Sequence, residues 1–172
     1  TKKRTIVKDT TSFSPYYGYP FQYKNQLYFT FNNQIKIFEN QKIKSVFNFS
    51  NGKLQNINNA FSNLGSGLFF SSNFNGKQHF FIKKDLSTTF TTCLVPSELK
   101  NKIIISVIKH DNLLWFCTNQ GVVVCTISGD KITYKDTYLE KEYITKIIKD
   151  KNNNYWFTSL LNGVFVMPNI YI

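Results

Sequence analysis

A short aromatic segment recurs four times along the chain, and its spacing restricts the folds that the chain can adopt. The copies are LYFT at 27–30, LFFS at 68–71, LWFC at 114–117 and YWFT at 155–158, so their starts lie 41, 46 and 41 residues apart. Periods of about 40–50 residues are typical of HEAT-type helical repeats and of propeller blades. The intervening segments are short apolar runs broken by Asn, Gly, Asp and Pro, without the periodicity of helices. The spacing therefore predicts repeats built from β-strands.

The composition supports a strand-rich chain. Phe, Tyr and Trp make up 17% of the residues, whereas Ala60 is the only alanine and Arg4 the only arginine. Aromatic side chains favour strands, and Ala and Arg are strong helix formers, so long helices are not expected. Continuous apolar runs such as IIISVI and VVVC indicate strands that are buried on both faces. We therefore predict an all-β chain of the β-propeller class, with about four four-stranded antiparallel blades.

Turn-forming residues between the apolar runs set the limits of the blades. They place the blades at 13–50, 54–96, 101–140 and 143–172. The fourth blade lacks its outer strand, and an additional outer strand is predicted at 4–11, before the first blade. Pairing of this strand with the last blade would close a four-bladed ring. The alternative, which we favour, is that the four blades belong to a larger ring of the seven-bladed type.

The last two repeats share further residue types in the same order. The pattern is an Asp at the first turn, a Trp-aromatic pair, a Thr, and a Gly before an apolar strand. These residues are Asp111, Trp115, Thr118 and Gly121 in the third repeat, and Asp150, Trp156, Thr158 and Gly163 in the fourth. The pattern resembles the two-component regulator propeller repeat. The first two repeats depart from it, with Tyr28 and Phe69 in place of Trp.

The chemistry of these matching side chains suits structural roles. We expect both Trp side chains to pack between blades, because each has a large apolar area to bury. The two Asp side chains are expected to cap tight turns by accepting backbone N–H groups. Thr118 is expected to tie its hairpin, and the two Gly residues to adopt positive φ. These residues specify the fold and do not identify a ligand site.

Proteins similar to this repeat family are sensor parts of membrane-bound histidine kinases, often hybrid two-component receptors. The resemblance implies a periplasmic or otherwise extracytoplasmic, non-catalytic sensor segment whose kinase module and output belong to a larger parent chain. The sequence itself contains no kinase motif and no apolar run long enough to span a membrane. Saccharides are among the ligands of such sensors. The expected partner is therefore a small molecule or a saccharide, with membrane contact only through the missing parent segment.

The sequence shows no residue pattern that would indicate an enzyme or a cofactor site. His79 and His110 are the only histidines, and neither has ligand-type neighbours at metal-binding spacing. Cys93, Cys117 and Cys125 are expected to be buried free thiols. No Gly-x-Ser-x-Gly elbow and no suggestive pair of carboxylates occurs. We therefore predict no catalytic residue, no metal and no cofactor.

The net charge of +11 suggests an anionic partner as an alternative. All basic residues except Arg4 are lysines, and they are scattered along the chain. Surfaces that bind phosphates usually group their charges and use arginine forks, so nucleic acid is not the expected partner and a polyanion-binding module is less favoured. The other alternative is a protein-interaction scaffold, which would form a homodimer through open blade edges or contact the rest of the parent propeller.

Propellers usually bind ligands at one end of the central channel, through the loops between second and third strands and the connections between blades. The residues that these loops and connections supply here are Asn119, Gln120, Asn162, Tyr16, Tyr17 and Tyr19. Tyrosine combines an apolar ring with a polar hydroxyl, which suits flat ligands such as sugars. We predict that these six residues contact the ligand. The alternative for the three tyrosines, which their place in the first blade favours, is that they are strand or core aromatics of that blade.

Overall fold

The structure is a computed structural model that describes residues 20–24, 26–31, 34–48, 60–74, 77–85 and 90–169. Within these ranges, every regular element except one short 3-10 helix is a β-strand. The strands form four separate sheets, and all pairs within the sheets are antiparallel. The predicted all-β class with antiparallel blades is confirmed. The predicted strand at 4–11 and the residues Tyr16, Tyr17 and Tyr19 lie outside the described residues.

Blade 1 belongs to the first of two compact units of the chain, Thr1–Ile57. Its strands, in order across the sheet, are β1 (Phe21–Tyr23), β2 (Gln26–Phe31), β3 (Gln34–Glu39) and β4 (Lys42–Asn48). The β3–β4 hairpin turns at Asn40 and Gln41, whose φ angles of 50° and 60° supply the two positive values of a type I′ turn. Ile35 and Ile37 of β3 are buried on one face of this sheet.

Blades 2, 3 and 4 belong to the second unit, Asn58–Ile172. Blade 2 consists of β5 (Ala60–Asn63), β6 (Gly67–Phe74), β7 (Lys77–Lys84) and β8 (Thr91–Cys93). The 3-10 helix Ser97–Leu99 leads to blade 3, which consists of β9 (Ile104–His110), β10 (Leu113–Thr118), β11 (Gly121–Ser128) and β12 (Lys131–Tyr138). Blade 4 consists of β13 (Ile144–Lys149), β14 (Tyr155–Ser159) and β15 (Val164–Met167). Each sheet lies within one predicted repeat, and among the described residues blade 4 has three strands.

Consecutive apolar residues of β10 serve two cores, because successive side chains of a strand point to opposite faces. Leu114 and Phe116 point into a core shared with blade 2, where the rings of Phe80 and Phe116 stack 5.3 Å apart. Trp115 and Cys117 point into a second core, shared with blade 4. Full burial of one large apolar side chain contributes about 1.5–3 kcal/mol. Burial on both faces explains why β10 has no polar alternation.

The first strands of blades 2, 3 and 4 are neighbours, with β9 next to both β5 and β13. The fourth strands β8 and β12 form the opposite edges of their sheets. The β10–β11 turn lies at the end where β9 begins, because Thr118 is in register with both Ile104 and Gly121. In blade 4, Ser159 is likewise in register with Ile144 at the start of β13. The second-to-third-strand turns of blades 3 and 4 and the connections that lead into their first strands therefore lie at one end, where they are hydrogen-bonded to one another.

Trp156 departs from the expectation that both tryptophans pack between blades. Trp115 is 1% exposed, whereas Trp156 is 41% exposed. Tyr155 and Phe157, the neighbours of Trp156 in β14, point into the core shared with blade 3, so Trp156 points to the opposite face. Within the described residues of the second unit, no strand covers that face of blade 4.

Candidate functional site

The loops that the sequence analysis assigned to ligand binding meet at one end of blades 3 and 4, which we call the loop end. It consists of the turns at 119–120 and 160–163 and the connections at 94–103 and 139–143. Gly121 and Gly163, at the ends of the two turns, have φ angles of 85° and 76°. Backbone N–H groups of Gly121 and Leu160 donate to the carbonyls of Glu142 and Tyr143, at 2.7 and 2.9 Å. The loop end is therefore one hydrogen-bonded surface.

The β10–β11 turn is fixed to the connection that precedes β9. Asn119 Oδ1 accepts a 2.8 Å hydrogen bond from the N–H of Ile103, and the N–H of Asn119 donates to the Ile103 carbonyl at 3.1 Å. Lys102 Nζ donates to the Gln120 carbonyl at 2.8 Å. These contacts hold the turn, so the exposed side chain of Gln120 projects from a fixed backbone.

Asn162 is held by Glu142, a residue that the sequence analysis did not single out. Asn162 Nδ2 donates to both carboxylate oxygens of Glu142, at 3.0 and 2.8 Å, and Ser159 Oγ donates to the same carboxylate at 3.1 Å. Ser159 Oγ also accepts the N–H groups of Leu161 and Asn162. The sequence signal for Glu142 is weak, because an acidic residue shortly before a strand is common. Its role depends on the turn that the fold places beside it.

Ser159, and not Thr158, occupies the hairpin position of Thr118. Thr118 Oγ1 accepts the N–H of Gln120 at 3.0 Å, and Ser159 Oγ accepts two N–H groups of the β14–β15 turn. The Thr158 hydroxyl instead lies 2.8 Å from the hydroxyl of Thr145 on β13. The sequence match of Thr158 to the repeat motif is therefore one residue out of step with the structure.

Apolar side chains are exposed at the loop end beside these amides. Leu94, Ile103, Leu160 and Leu161 are all exposed, and Leu161 is 82% exposed. Exposed apolar groups beside a few fixed polar groups are typical of ligand-binding surfaces. The loop end therefore offers both apolar contact and hydrogen bonding through groups such as the Gln120 amide.

The opposite end of blades 3 and 4 carries the two Asp turns. Asp150 Oδ1 accepts two N–H groups of its own turn, at 2.8 and 2.9 Å, and so caps the β13–β14 turn. Hydrogen bonds from the side chains of Trp156 and Asn154 hold the pKa of Asp150 at about 2. Asp111 has a φ angle of 53°, and its Oδ2 lies 3.6 Å from Lys149 Nζ. The expected turn cap is therefore found at Asp150, whereas Asp111 instead pairs with Lys149 of blade 4.

The three cysteine thiols are buried and protonated, and His110 favours its neutral form. Burial raises the pKa of the thiols of Cys93 and Cys117 to about 11 and that of Cys125 to about 12, so these thiols are poor nucleophiles. Burial lowers the pKa of His110, whose ring packs edge-to-face on Tyr155 at 5.5 Å. In the part of the chain that the structure describes, no group of three or more His, Cys, Asp or Glu residues could hold a metal ion.

An apolar cavity of about 400 Å³ lies between the end of β12 and β15. It is lined by Tyr138, Leu139, Phe157, Phe165, Val166, Met167 and Pro168. Small-molecule sites usually contain several convergent polar groups that orient the ligand. This lining is almost entirely apolar, so the cavity suits further apolar side chains better than a polar ligand.

Neither a family model nor a curated protein matches the chain. Solved structures do match it. The extracellular domain of the putative one component system BT4673 from B. thetaiotaomicron has a TM-score of 0.64 at 16% identity, over 88% of this chain and 21% of that chain. A further structure of that domain, described as part of a putative hybrid two component system, has a TM-score of 0.59 at 12% identity, over 86% and 19%. The fold is that of β-propeller blades.

A structure of streptogramin B lyase also shares this fold, with a TM-score of 0.55 at 16% identity, over 88% of this chain and 54% of that chain. Identities this low establish the fold and not the function. The predicted resemblance to two-component sensor propellers is therefore confirmed at the level of the fold. The chain spans about one fifth of the length of the matched BT4673 chains, 21% and 19%. No helix in the described ranges has the length and apolar character needed to cross a membrane.

Proposed function

We propose that the chain is a ligand-binding segment of an extracytoplasmic two-component sensor, within a propeller of more than four blades. The shared fold with the extracellular domain of BT4673 supports this proposal, as do the repeat residues Trp115 and Trp156. The observation that carries it is the loop end, where fixed turns present amides beside exposed leucines. The membrane anchor and kinase module belong to the parent chain.

The loop end is suited to a small molecule or a saccharide. Leu160 and Leu161 offer apolar contact, and the Gln120 amide offers both a donor and an acceptor. Asn162 acts mainly by shaping the β14–β15 turn, since both hydrogen bonds of its Nδ2 go to Glu142. The ligand therefore contacts the tips of the two turns, and Glu142 holds one of them in place.

We also infer that the chain binds its ligand without catalysing a reaction. The high pKa values of the buried thiols support this inference. So do the aromatic contacts of both histidines, His79 with Phe81 and His110 with Tyr155. Because a lyase shares the fold, the inference rests on the side chains of this chain and not on the fold.

Thermal shift and NMR titration with neutral and sulfated oligosaccharides test the proposal. A ligand at about 100 times its Kd stabilises the folded state by about 2.7 kcal/mol. We expect at least one saccharide to raise the Tm of the chain, and the double substitution Gln120→Ala with Leu161→Ala to remove the shift. The matched control is Asn112→Ala, in the turn at the opposite end of blade 3, which should leave the shift unchanged.

Three other results would contradict the proposal. A shift that survives the double substitution would place the site away from the loop end. A shift found only with sulfated sugars and lost between about 50 and 200 mM salt would indicate a polyanion-binding module. A solution mass that doubles with concentration, without any saccharide binding, would favour the scaffold alternative.

A further inference from the structure

Blade 4 presents an apolar row on the face that points away from blade 3. Trp156 lies at its centre, in register with Ile148 of β13 and Val166 of β15. Residues in register on antiparallel strands share one face of the sheet, so these three side chains form a continuous patch. All three are exposed, and Val164 on the same face is exposed as well. We call Ile148, Trp156 and Val166 the outer row.

Blade 3 carries the same row at the equivalent positions. Trp115 is in register with Ile108 of β9 and Val124 of β11, which repeats the order Ile, Trp, Val. In blade 3 the central tryptophan is 1% exposed. It is covered by Tyr155 and Phe157 of blade 4, whose ring centroids lie 4.4 and 6.3 Å from that of Trp115. Tyr138 of β12, in the same blade as Trp115, also stacks on its indole, at 5.9 Å. The structure therefore shows two covers for a row of this composition: an aromatic residue of the blade's own fourth strand, and a following blade with two aromatic residues at alternate positions of its second strand.

We propose that the outer row docks a further blade of the same propeller, whose second strand carries an aromatic pair placed as Tyr155 and Phe157 are. This proposal rests on the proposed function, in which the chain belongs to a larger ring. Aromatic rings that are stacked on an indole or tilted against it pack its faces more favourably than aliphatic side chains do. An exposed apolar patch of this kind marks an interaction surface. The chain also spans only 21% and 19% of the matched BT4673 chains, which leaves room for further blades.

A chain extended by one blade tests the proposal. A second copy of residues 129–169 is fused after residue 170, so that a copied β12 follows β15 and a copied blade 4 follows it. The chain contains two tryptophans, so Trp115→Phe together with Trp156→Phe in the copy leaves the original Trp156 as the only indole. Acrylamide quenching of its fluorescence then reports the exposure of the outer row. The matched control carries Tyr155→Asp and Phe157→Asp in the copy.

We expect the extension to reduce quenching of Trp156 to the level measured for Trp115 in an unextended Trp156→Phe chain. The copied Tyr138 is placed to stack on Trp156 in both extended chains, as Tyr138 stacks on Trp115, so quenching in the Asp control should fall only part of the way to that level. Equal quenching in the extended chain and the control, with the added strands visible by circular dichroism, would overturn the proposal. Weak acrylamide quenching of Trp156 in the unextended chain, whether that chain is a monomer or a dimer, would also overturn the proposal.

A second pair of variants decides the matter if the extension does not fold. Val166 and Val124 occupy equivalent positions, but Val166 is exposed and Val124 is 1% exposed. In the unextended chain, we expect Val166→Lys to leave the urea midpoint nearly unchanged and Val124→Lys to lower it sharply. A similar fall in the urea midpoint for both variants would show that another surface already covers the outer row, and would overturn the proposal. A dimer of the unextended chain that Val166→Lys dissociates would overturn it for the same reason.

The docking proposal and the proposed function can fail separately. The saccharide titration is repeated on the same extended chain, where it reports on the loop end alone. Protection of Trp156 without saccharide binding would contradict the proposed function and support docking. Saccharide binding with Trp156 still fully quenched would contradict docking and leave the sensor function intact.

Discussion

The indole Nε1 of Trp156 donates a 2.9 Å hydrogen bond to Oδ2 of Asp150. The other carboxylate oxygen of Asp150 accepts two N–H groups of the β13–β14 turn. One carboxylate therefore closes the turn and orients a side chain on the next strand. In blade 3 the Nε1 of Trp115 is buried without a hydrogen-bond partner in the described part of the chain. The same residue type at equivalent positions is thus held by a hydrogen bond in one blade and by packing in the other.

We predict that Asp150→Ala lowers the Tm of the chain, because the turn and the Trp156 indole lose their shared acceptor. The matched control is Asp130→Ala, in the exposed β11–β12 turn. We expect its Tm to match that of the parent sequence. Differential scanning calorimetry of the three proteins at pH 7 measures the effect. Equal Tm values for the two variants would show that the hydrogen bonds of Asp150 do not stabilise the fold.

The low pKa of Asp150 predicts a specific dependence of stability on pH. Hydrogen bonds from Trp156 and Asn154 lower the pKa from its ordinary value of 3.8 to about 2 in the folded state. The folded chain therefore binds fewer protons at this site, and the resulting stability is complete above about pH 4 and is lost as the pH falls towards 2. In urea titrations from pH 6 to pH 2, the stability difference between the parent chain and Asp150→Asn should shrink across that window. A constant difference would contradict the lowered pKa.

The spacing of the aromatic segments was sufficient to predict the four sheets, because each segment is a strand bounded by turn residues. The exposure of Trp156 could not be predicted in the same way. Burial depends on what covers a side chain, and the local sequence around Trp156 resembles that around Trp115. The place of Thr158 in the repeat was misassigned because the match followed residue type and not spacing: Thr118 follows Trp115 by three residues, whereas Thr158 follows Trp156 by two. Ser159, three residues after Trp156, is the equivalent of Thr118, and both hydroxyls accept N–H groups of the turn that follows.

Part of the candidate site was also visible in the sequence. Asn119, Gln120 and Asn162 lie in turns at one end of the blades, as the order of strands and turns predicted. The partners that fix these turns were not visible, because Lys102 and Glu142 reach them from connections distant in sequence. Such contacts depend on the packing of neighbouring strands. Contact of Asn119, Gln120 and Asn162 with a ligand remains a prediction.

The two tryptophans should contribute unequally to stability. Trp115→Ala removes a fully buried ring stacked on Tyr155, so we expect it to lower the free energy of unfolding by about 3–5 kcal/mol. Trp156→Ala removes a ring that is 41% exposed, and we expect less than half of that loss. Urea unfolding followed by circular dichroism measures both. Equal losses would show that the exposed face of Trp156 is covered in solution.

Gly121 should tolerate no side chain. Its φ angle is 85°, and a Cβ there would lie 2.5 Å from the carbonyl oxygen of Tyr138 and 2.7 Å from that of Leu139. We expect Gly121→Ala to lower the free energy of unfolding by more than about 2 kcal/mol, because the overlap adds to the cost of positive φ. Gly129 is the matched control, because its φ angle is 63° and a Cβ there would meet no atom within 4 Å. Gly129→Ala should cost only about 1–2 kcal/mol.

The three cysteines should react slowly while the chain is folded. Burial raises the pKa of Cys93 and Cys117 from 9.0 to about 11 and that of Cys125 to about 12. A rise of two pKa units lowers the thiolate fraction at pH 8 about 100-fold, and the thiolate is the reacting form. We expect three equivalents to react with an aromatic disulfide reagent rapidly in 6 M guanidinium but at least about 100-fold more slowly in buffer. Cys93→Ser, Cys117→Ser and Cys125→Ser, made singly, assign any faster phase to one thiol. A rapid phase of one equivalent in buffer would show that the corresponding thiol is accessible and ionised, contrary to its burial.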